Sequence, residues 1–397
     1  MNAPLQKAAV KISLLLGYKY TSVHSAYASR LLGERAIKGG FQSLFVDAGR
    51  FMEEKNMTYF MRSLVAAAII GAGACGVAQA ADQSKIALVP GGPHPYFAAW
   101  EQAGKDAAKD FGLAGADYKV PQKWELAQQN QLLESLLSQG YNGFLIFPGD
   151  PVGAVSTAEE LTGNGANVIA GAGCFKDPSP AAFCLGTDTG NSAYLGTKEL
   201  IKAMGSGKKR IAHFTGFLVD PNTQLRIDAV KKAADEAGAE VVQVIADIDA
   251  PEPAEEKINA YLAAHASEVD GIVTTAWVPA VVASNALRKI GDKRIHMVGI
   301  DHDEVVLKAI KDGFVDGTML QNPYGQGYVG SFALSKLQSG CKVKADAPFK
   351  SNALTTKFID SGTAYVDASK VDNYVDAMRA ETKKLLANFD ATYLSCK

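Results

Sequence analysis

Ten side chains have the chemistry to hold a small hydroxylated molecule. Asp301 ends the apolar run Val298-Gly299-Ile300, where a carboxylate can accept from two adjacent hydroxyls or cap the following helix. Arg226 can donate a planar fork to a ligand or pair locally with Asp220 or Asp228. Gln321 stands two residues before Pro323, and its amide can both donate and accept, toward a solute or within a chain crossing. Asp150 and Asp220 each precede a proline, which makes them helix caps as readily as ligand contacts. Tyr96, Phe97, Trp124 and Trp277 offer flat apolar faces for the carbon side of a ring, although Phe97 also suits the first core position of a helix. His94 lies between Pro93 and Pro95, as an exposed loop residue or a contact. Catalysis would need an activated nucleophile, a base or a metal at workable spacing. The sequence has no P-loop and no Cys-x-x-Cys, its histidines are scattered, and Gly171-Ala172-Gly173 lacks a helix start. No catalytic residue, metal site or cofactor is expected, and the chain is not expected to be an enzyme.

Those groups must be positioned by strands and helices that alternate from residue 85 onward, the pattern of parallel βαβ units. Strands are expected at Lys85–Val89, Gly143–Phe147, Asn167–Ala170, Arg210–Phe214, Gly271–Thr275 and Ile295–Ile300. Amphipathic helices are expected at Phe97–Phe111 and at Leu126–Leu137, the latter stopped by Gly140. Lys370–Leu386 is expected to be a helix packed on the second half.

The chain also repeats itself. Lys85-Ile86-Ala87 with a helix ending at Gly112 is answered by Arg210-Ile211-Ala212 with a helix ending at Gly238. Asn142-Gly143-Phe144-Leu145-Ile146 is answered by Asp270-Gly271-Ile272-Val273-Thr274, and Asn167-Val168-Ile169 by His296-Met297-Val298. An α/β fold of two Rossmann-like, doubly wound lobes follows, with ligand loops outside the carboxyl ends of the strands, facing a shared cleft.

A length of 397 residues supports two domains. With 47% hydrophobic residues, 21% charged and a net charge of −2, nothing favours nucleic acid or an anionic membrane as partner. Arg62 followed by the apolar run 64–70 and then Ala78-Gln79-Ala80 has the pattern of a signal peptide over 57–80, cleaved after Ala80. Residues 1–56 stand awkwardly before a leader, so translation is expected to begin at Met57 or Met61, leaving that stretch spurious or disordered. Export to an oxidising periplasm would permit disulfides. Cys174 and Cys184 flank a proline-containing loop, and Cys341 and Cys396 remain as the other pair, with other pairings or free thiols still open.

In the order of its loops the chain resembles the type I periplasmic binding proteins, the ribose- and galactose-binding family. The resemblance rests on Pro93-His94-Pro95-Tyr96-Phe97, Gly186-Thr187-Asp188-Thr189-Gly190, Arg226, Val298-Gly299-Ile300-Asp301 and Leu320-Gln321-Asn322-Pro323. It implies a sugar or sugar-like polyol held by these loops as the lobes close, delivery to the permease of an ABC importer, and a monomer. It also implies a three-crossover hinge near residues 188, 321 and 355. The N-terminal lobe would then comprise 81–187 plus 321–355, and the C-terminal lobe 188–320 plus 356–397.

The chain departs from the family's charged pair after the third strand, reading Ala170-Gly171-Ala172-Gly173-Cys174, and from its Asn-Asp after the fifth, reading Ala276-Trp277. Asp220-Pro221-Asn222-Thr223-Gln224 is similar to the autoinducer-binding branch, which makes a sensory receptor coupled to chemotaxis or a membrane kinase the alternative. A ligand-responsive transcriptional regulator shares the fold but places a DNA-binding module where this chain has its leader.

Overall fold

The computed structural model describes residues 82–291 and 293–396. The leader expected over 57–80, its cleavage after Ala80 and the stretch 1–56 lie outside the described residues.

The first half runs β1 (Asp82–Val89), α1 (Ala98–Phe111), β2 (Leu113–Tyr118), α2 (Leu126–Ser138), β3 (Gly143–Ile146), α3 (Val155–Gly163), β4 (Asn167–Gly171) and β5 (Cys184–Gly186). After a crossing come α4 (Thr189–Ala203), β6 (Arg210–Phe214), α5 (Pro221–Glu236), β7 (Glu240–Ile245), α6 (Pro251–His265), β8 (Gly271–Thr274), α7 (Trp277–Ile290), β9 (His296–Ile300), α8 (Glu304–Lys311) and β10 (Gly317–Leu320). The last stretch is α9 (Pro323–Gln338), β11 (Lys342–Val343), β12 (Phe358–Asp360), β13 (Ala364–Asp367), α10 (Tyr374–Leu386), α11 (Phe389–Tyr393) and β14 (Leu394–Ser395).

Two six-stranded sheets result, β12-β5-β4-β3-β1-β2 and β13-β10-β9-β8-β6-β7. The first is parallel throughout, and in the second only β13 runs antiparallel, against β10. The same order recurs in both halves, as the internal repeat requires. Strand alternation then divides each core into two layers. On β1, Ile86 and Leu88 enter one layer while Ala87 and Val89 enter the other; on β8, Ile272 and Val273 part the same way.

The lobes exchange helices at the crossings. Helix α4, which follows β5, buries Ala193, Leu200 and Ile201 against the second sheet, and α9, which follows β10, buries Val329, Ala333 and Leu334 against the first. Ser361–Thr363 forms the third connection, since β12 pairs with β5 and β13 with β10. The break expected near 355 is therefore displaced, and 356–397 is not one second-lobe segment. Residues 358–360 hydrogen-bond into the first sheet, and β14 pairs with β11 while Phe389 and Leu394 fill the first core. Helix α10 lies between these assignments: Tyr374 and Met378 enter the second core, and Leu385 and Leu386 pack on the first.

Cys174 bonds to Cys184 and Cys341 to Cys396, tying the β4–β5 loop and the C-terminus into the first lobe. Among the described residues no helix is long and apolar enough to cross a membrane.

Candidate functional site

Strand ends and the loops that follow them meet around one cavity, lined by aromatic side chains and a few polar groups. Nine of the ten residues singled out in the sequence line it: His94, Tyr96, Phe97, Trp124, Asp220, Arg226, Trp277, Asp301 and Gln321. Asp150 does not. Its Oδ1 accepts from the backbone N–H groups of Val152 and Gly153, 2.9 Å each, so this exposed carboxylate caps the turn leading into α3.

The first lobe supplies an aromatic wall. Phe97, Trp124 and Phe147 cluster with centroids 5.3 to 6.3 Å apart. Trp124 reaches the wall because Gly92 has no side chain; a Cβ there would sit 2.7 Å from the Trp124 Cα. Opposite, Trp277 opens α7 and donates its Nε1–H to Asp303 Oδ2 at 3.1 Å, which fixes its ring. Trp277 shares a core cluster with Tyr96, Phe97 and Trp100, so the two lobes are in contact across the gap.

The polar wall comes mostly from the second lobe. Asp301 follows β9 with φ +68°, and Ala172, at the matching position after β4, has φ +62°. Left-handed backbone at a non-glycine residue is unfavourable, and holding it aims the side chain off the strand end into the cavity. Asp301 does not cap α8; Asp303 does, accepting from the Val305 N–H at 2.8 Å. Instead Asp301 Oδ1 accepts from Gln321 Nε2 at 2.7 Å, and the group is 3% exposed. Burial pushes its carboxyl up to about 6, although Gln321 and Arg226 favour the charged form. Asp220 caps α5 through the Asn222 N–H at 2.9 Å, and burial raises its carboxyl too, against the pull of Arg226.

Arg226 is buried, and its guanidinium supports the nearby carboxylates by charge without closing a hydrogen bond to them. Its Nε has no hydrogen-bond partner, and its Nη1 stands 3.9 Å from Asp220 Oδ2, beyond hydrogen-bond range. Of the local partners considered from the sequence, Asp228 instead accepts from Gln224. An unpartnered buried N–H costs folding energy, and one at a cavity wall is positioned to donate to whatever fills it.

Asp249, Phe147 and Phe217 also line the cavity without having been singled out, together with Thr189 and Asn222 from two of the quoted motifs. Asp249 follows the edge strand β7 as Trp124 follows β2, and neither strand was expected from the sequence. Its Oδ1 accepts from the Val278 N–H at 3.0 Å, and its Oδ2 is 3.2 Å from His94 Nε2. Burial opposes its charge, but His94 and the Val278 N–H hold the carboxyl below the usual range.

A profile described as the periplasmic binding protein domain matches residues 86–342. The xylitol-binding protein of Mycolicibacterium smegmatis is 27% identical over 137 residues, 34% of this chain and 39% of that one; the match thus spans well under half of that relative. Among solved structures, an ABC transporter solute-binding protein from Burkholderia graminis in complex with D-arabinose superposes with TM-score 0.66 at 24% identity, covering 74% of this chain and 98% of the other. A sugar ABC transporter sugar-binding protein from Bacillus halodurans gives TM-score 0.64 at 20% identity over 74% and 100% of the two chains. These structural likenesses establish the fold, two α/β lobes of mostly parallel sheet. With the profile spanning both halves of the internal repeat, the chain belongs to the periplasmic binding protein domain family.

Proposed function

We infer that this chain is an exported receptor that captures a sugar or sugar-like polyol between its lobes and delivers it to the permease of an ABC importer. The observation that carries the reading is Arg226, buried at the cavity wall with an unpartnered Nε–H beside the carboxylates of Asp220 and Asp301. Asp301 has one oxygen engaged, by Gln321, which leaves the other to accept from a ligand, and Asp220 Oδ2 faces Arg226 Nη1. Adjacent hydroxyls can donate to the carboxylates and accept from the guanidinium, while the ring faces of Trp124 and Trp277 cover carbon. The ligands named for the relatives, D-arabinose and xylitol, belong to this class.

Binding rather than catalysis is the chemistry of these groups, and the protein acts as a monomer without cofactor. Export rests on the leader at 57–80, cleaved after Ala80, and the lobes are divided at 186–189, 320–323 and 361–363. Closure is a two-state equilibrium biased by a ligand that touches both lobes. A thermal-shift screen of neutral pentoses, hexoses and pentitols, followed by titration calorimetry of the hits, tests the reading. At least one neutral polyhydroxy compound is expected to bind with 1:1 stoichiometry; a screen in which only anionic or apolar compounds bind overturns it.

A further inference from the structure

We propose that His94 and Asp249 form an interlobe latch that stabilises the closed state and slows release of the solute; the inference rests on the receptor reading above. His94 belongs to the β1–α1 loop of the first lobe and Asp249 to the β7–α6 loop of the second, and their side chains meet at 3.2 Å with 13% and 14% exposure. The contact is close but bent, since Nε2 does not satisfy hydrogen-bond geometry toward Oδ2, so it sets the Nε2–H dipole against the carboxylate across the gap.

Both groups are aimed by their own lobes. His94 Nδ1 accepts from the Tyr96 N–H at 3.2 Å, which places the remaining proton on Nε2, facing Asp249. The His94 ring is edge-on to Phe97 and Trp124, with centroids 6.2 and 6.4 Å away. On the other side, the Val278 N–H holds Asp249 Oδ1. The pair differs in this from Arg226 and Asp301. His94 Nε2 and Asp249 Oδ2 approach to 3.2 Å, whereas the nearest carboxylate oxygen to the Arg226 guanidinium is 3.9 Å away and only one Asp301 oxygen is engaged. In the latch His94 is a positioning residue at the edge of the cavity it lines.

The pair can exist only when the lobes are together, so it adds closed-state free energy that the open state lacks, a differential that shifts the population whether or not solute is present. Because the two groups are largely removed from water, their attraction is screened less than that of a surface pair.

The test is a double-mutant cycle of His94→Ala, Asp249→Asn and the pair, each carrying spin labels at Val152→Cys and Val219→Cys, which lie on exposed loops of opposite lobes at 67% and 68% exposure. Asp249→Asn keeps an oxygen for the Val278 N–H. Two readouts are taken: interlobe distance distributions without solute, and stopped-flow dissociation of D-arabinose or xylitol followed by tryptophan fluorescence. Each single substitution is expected to shift the solute-free distribution toward longer distances and to speed dissociation about tenfold, with the double variant no faster than either single. Unchanged solute-free distances, or strictly additive effects on dissociation, overturn the latch. If neither probe binds, the receptor reading fails for these solutes while the distance measurement still decides the latch.

Discussion

Replacing Arg226 by Met keeps the aliphatic stem and removes every donor. In the folded protein the guanidinium has an unpartnered Nε–H and no closer carboxylate contact than the 3.9 Å approach to Asp220, so folding loses little that is directional. Two terms oppose each other: an unsatisfied buried donor is removed, which relieves about 1–3 kcal/mol, and the electrostatic support that Arg226 gives to Asp220, Asp249 and Asp301 is lost. Their near cancellation predicts a midpoint of thermal unfolding within about 4 °C of the parent, the shift expected for about 1 kcal/mol in a domain of this size. Binding has no such compensation. A hydrogen bond from a charged donor to a ligand is worth about 1.5–3 kcal/mol, and its loss weakens affinity roughly 10- to 150-fold. Titration calorimetry with the tightest solute of the screen, beside scanning calorimetry of the solute-free variant, separates the two quantities. Affinity within twofold of the parent would refute the assignment of Arg226 to the solute, and so would a loss of affinity matched by a collapse in unfolding temperature.

Asp301 should make both stability and binding depend on pH. Its carboxyl is raised from 3.8 to about 6, so the cost of burying its charge is absent below about pH 3.8 and grows as pH rises through 6, to at most about 3 kcal/mol; thermal melts of Asp301→Asn should lack that slope. Hydroxyls donating to the carboxylate favour its charged form, so affinity should rise from pH 5 to 7 with proton release on binding, read by calorimetry in buffers of different ionisation enthalpy. Reduction of the disulfides should lower stability unequally: the 55-residue separation of Cys341 and Cys396 corresponds to about 4 kcal/mol of loop-closure entropy and the 10-residue separation of Cys174 and Cys184 to about 3 kcal/mol, a ranking that Cys→Ser pairs in denaturant titrations will check. Asp150→Ala should cost about 1 kcal/mol of cap energy and leave solute affinity unchanged.

The architecture was legible because buried parallel strands are written as continuous apolar runs, and here the runs recur in matched order. β3 and β8 are buried at every position and were readable directly. The edge strands were not. β2, Leu-Ala-Gly-Ala-Asp-Tyr, and β7 are only partly buried, so neither carries a run distinct from its loops. Missing β7 hid Asp249, which stands in the loop after it. The third crossing was misplaced because β12 is only three residues long and is held by its neighbour β5, not by its own pattern. For Asp301 the sequence left open a helix cap or a contact, and the choice turned on Asp303, two residues on, taking the cap. Asp150 went the other way, since nothing in a sequence shows which side of a turn faces the cavity.

The most direct test is a crystal structure of the protein with the solute that binds best in the screen. One solute molecule is expected in the gap between the lobes, with hydroxyls within hydrogen-bond distance of Arg226 and Asp301 and a carbon face against Trp124 or Trp277. A solute bound outside that gap, or touching one lobe alone, would contradict it.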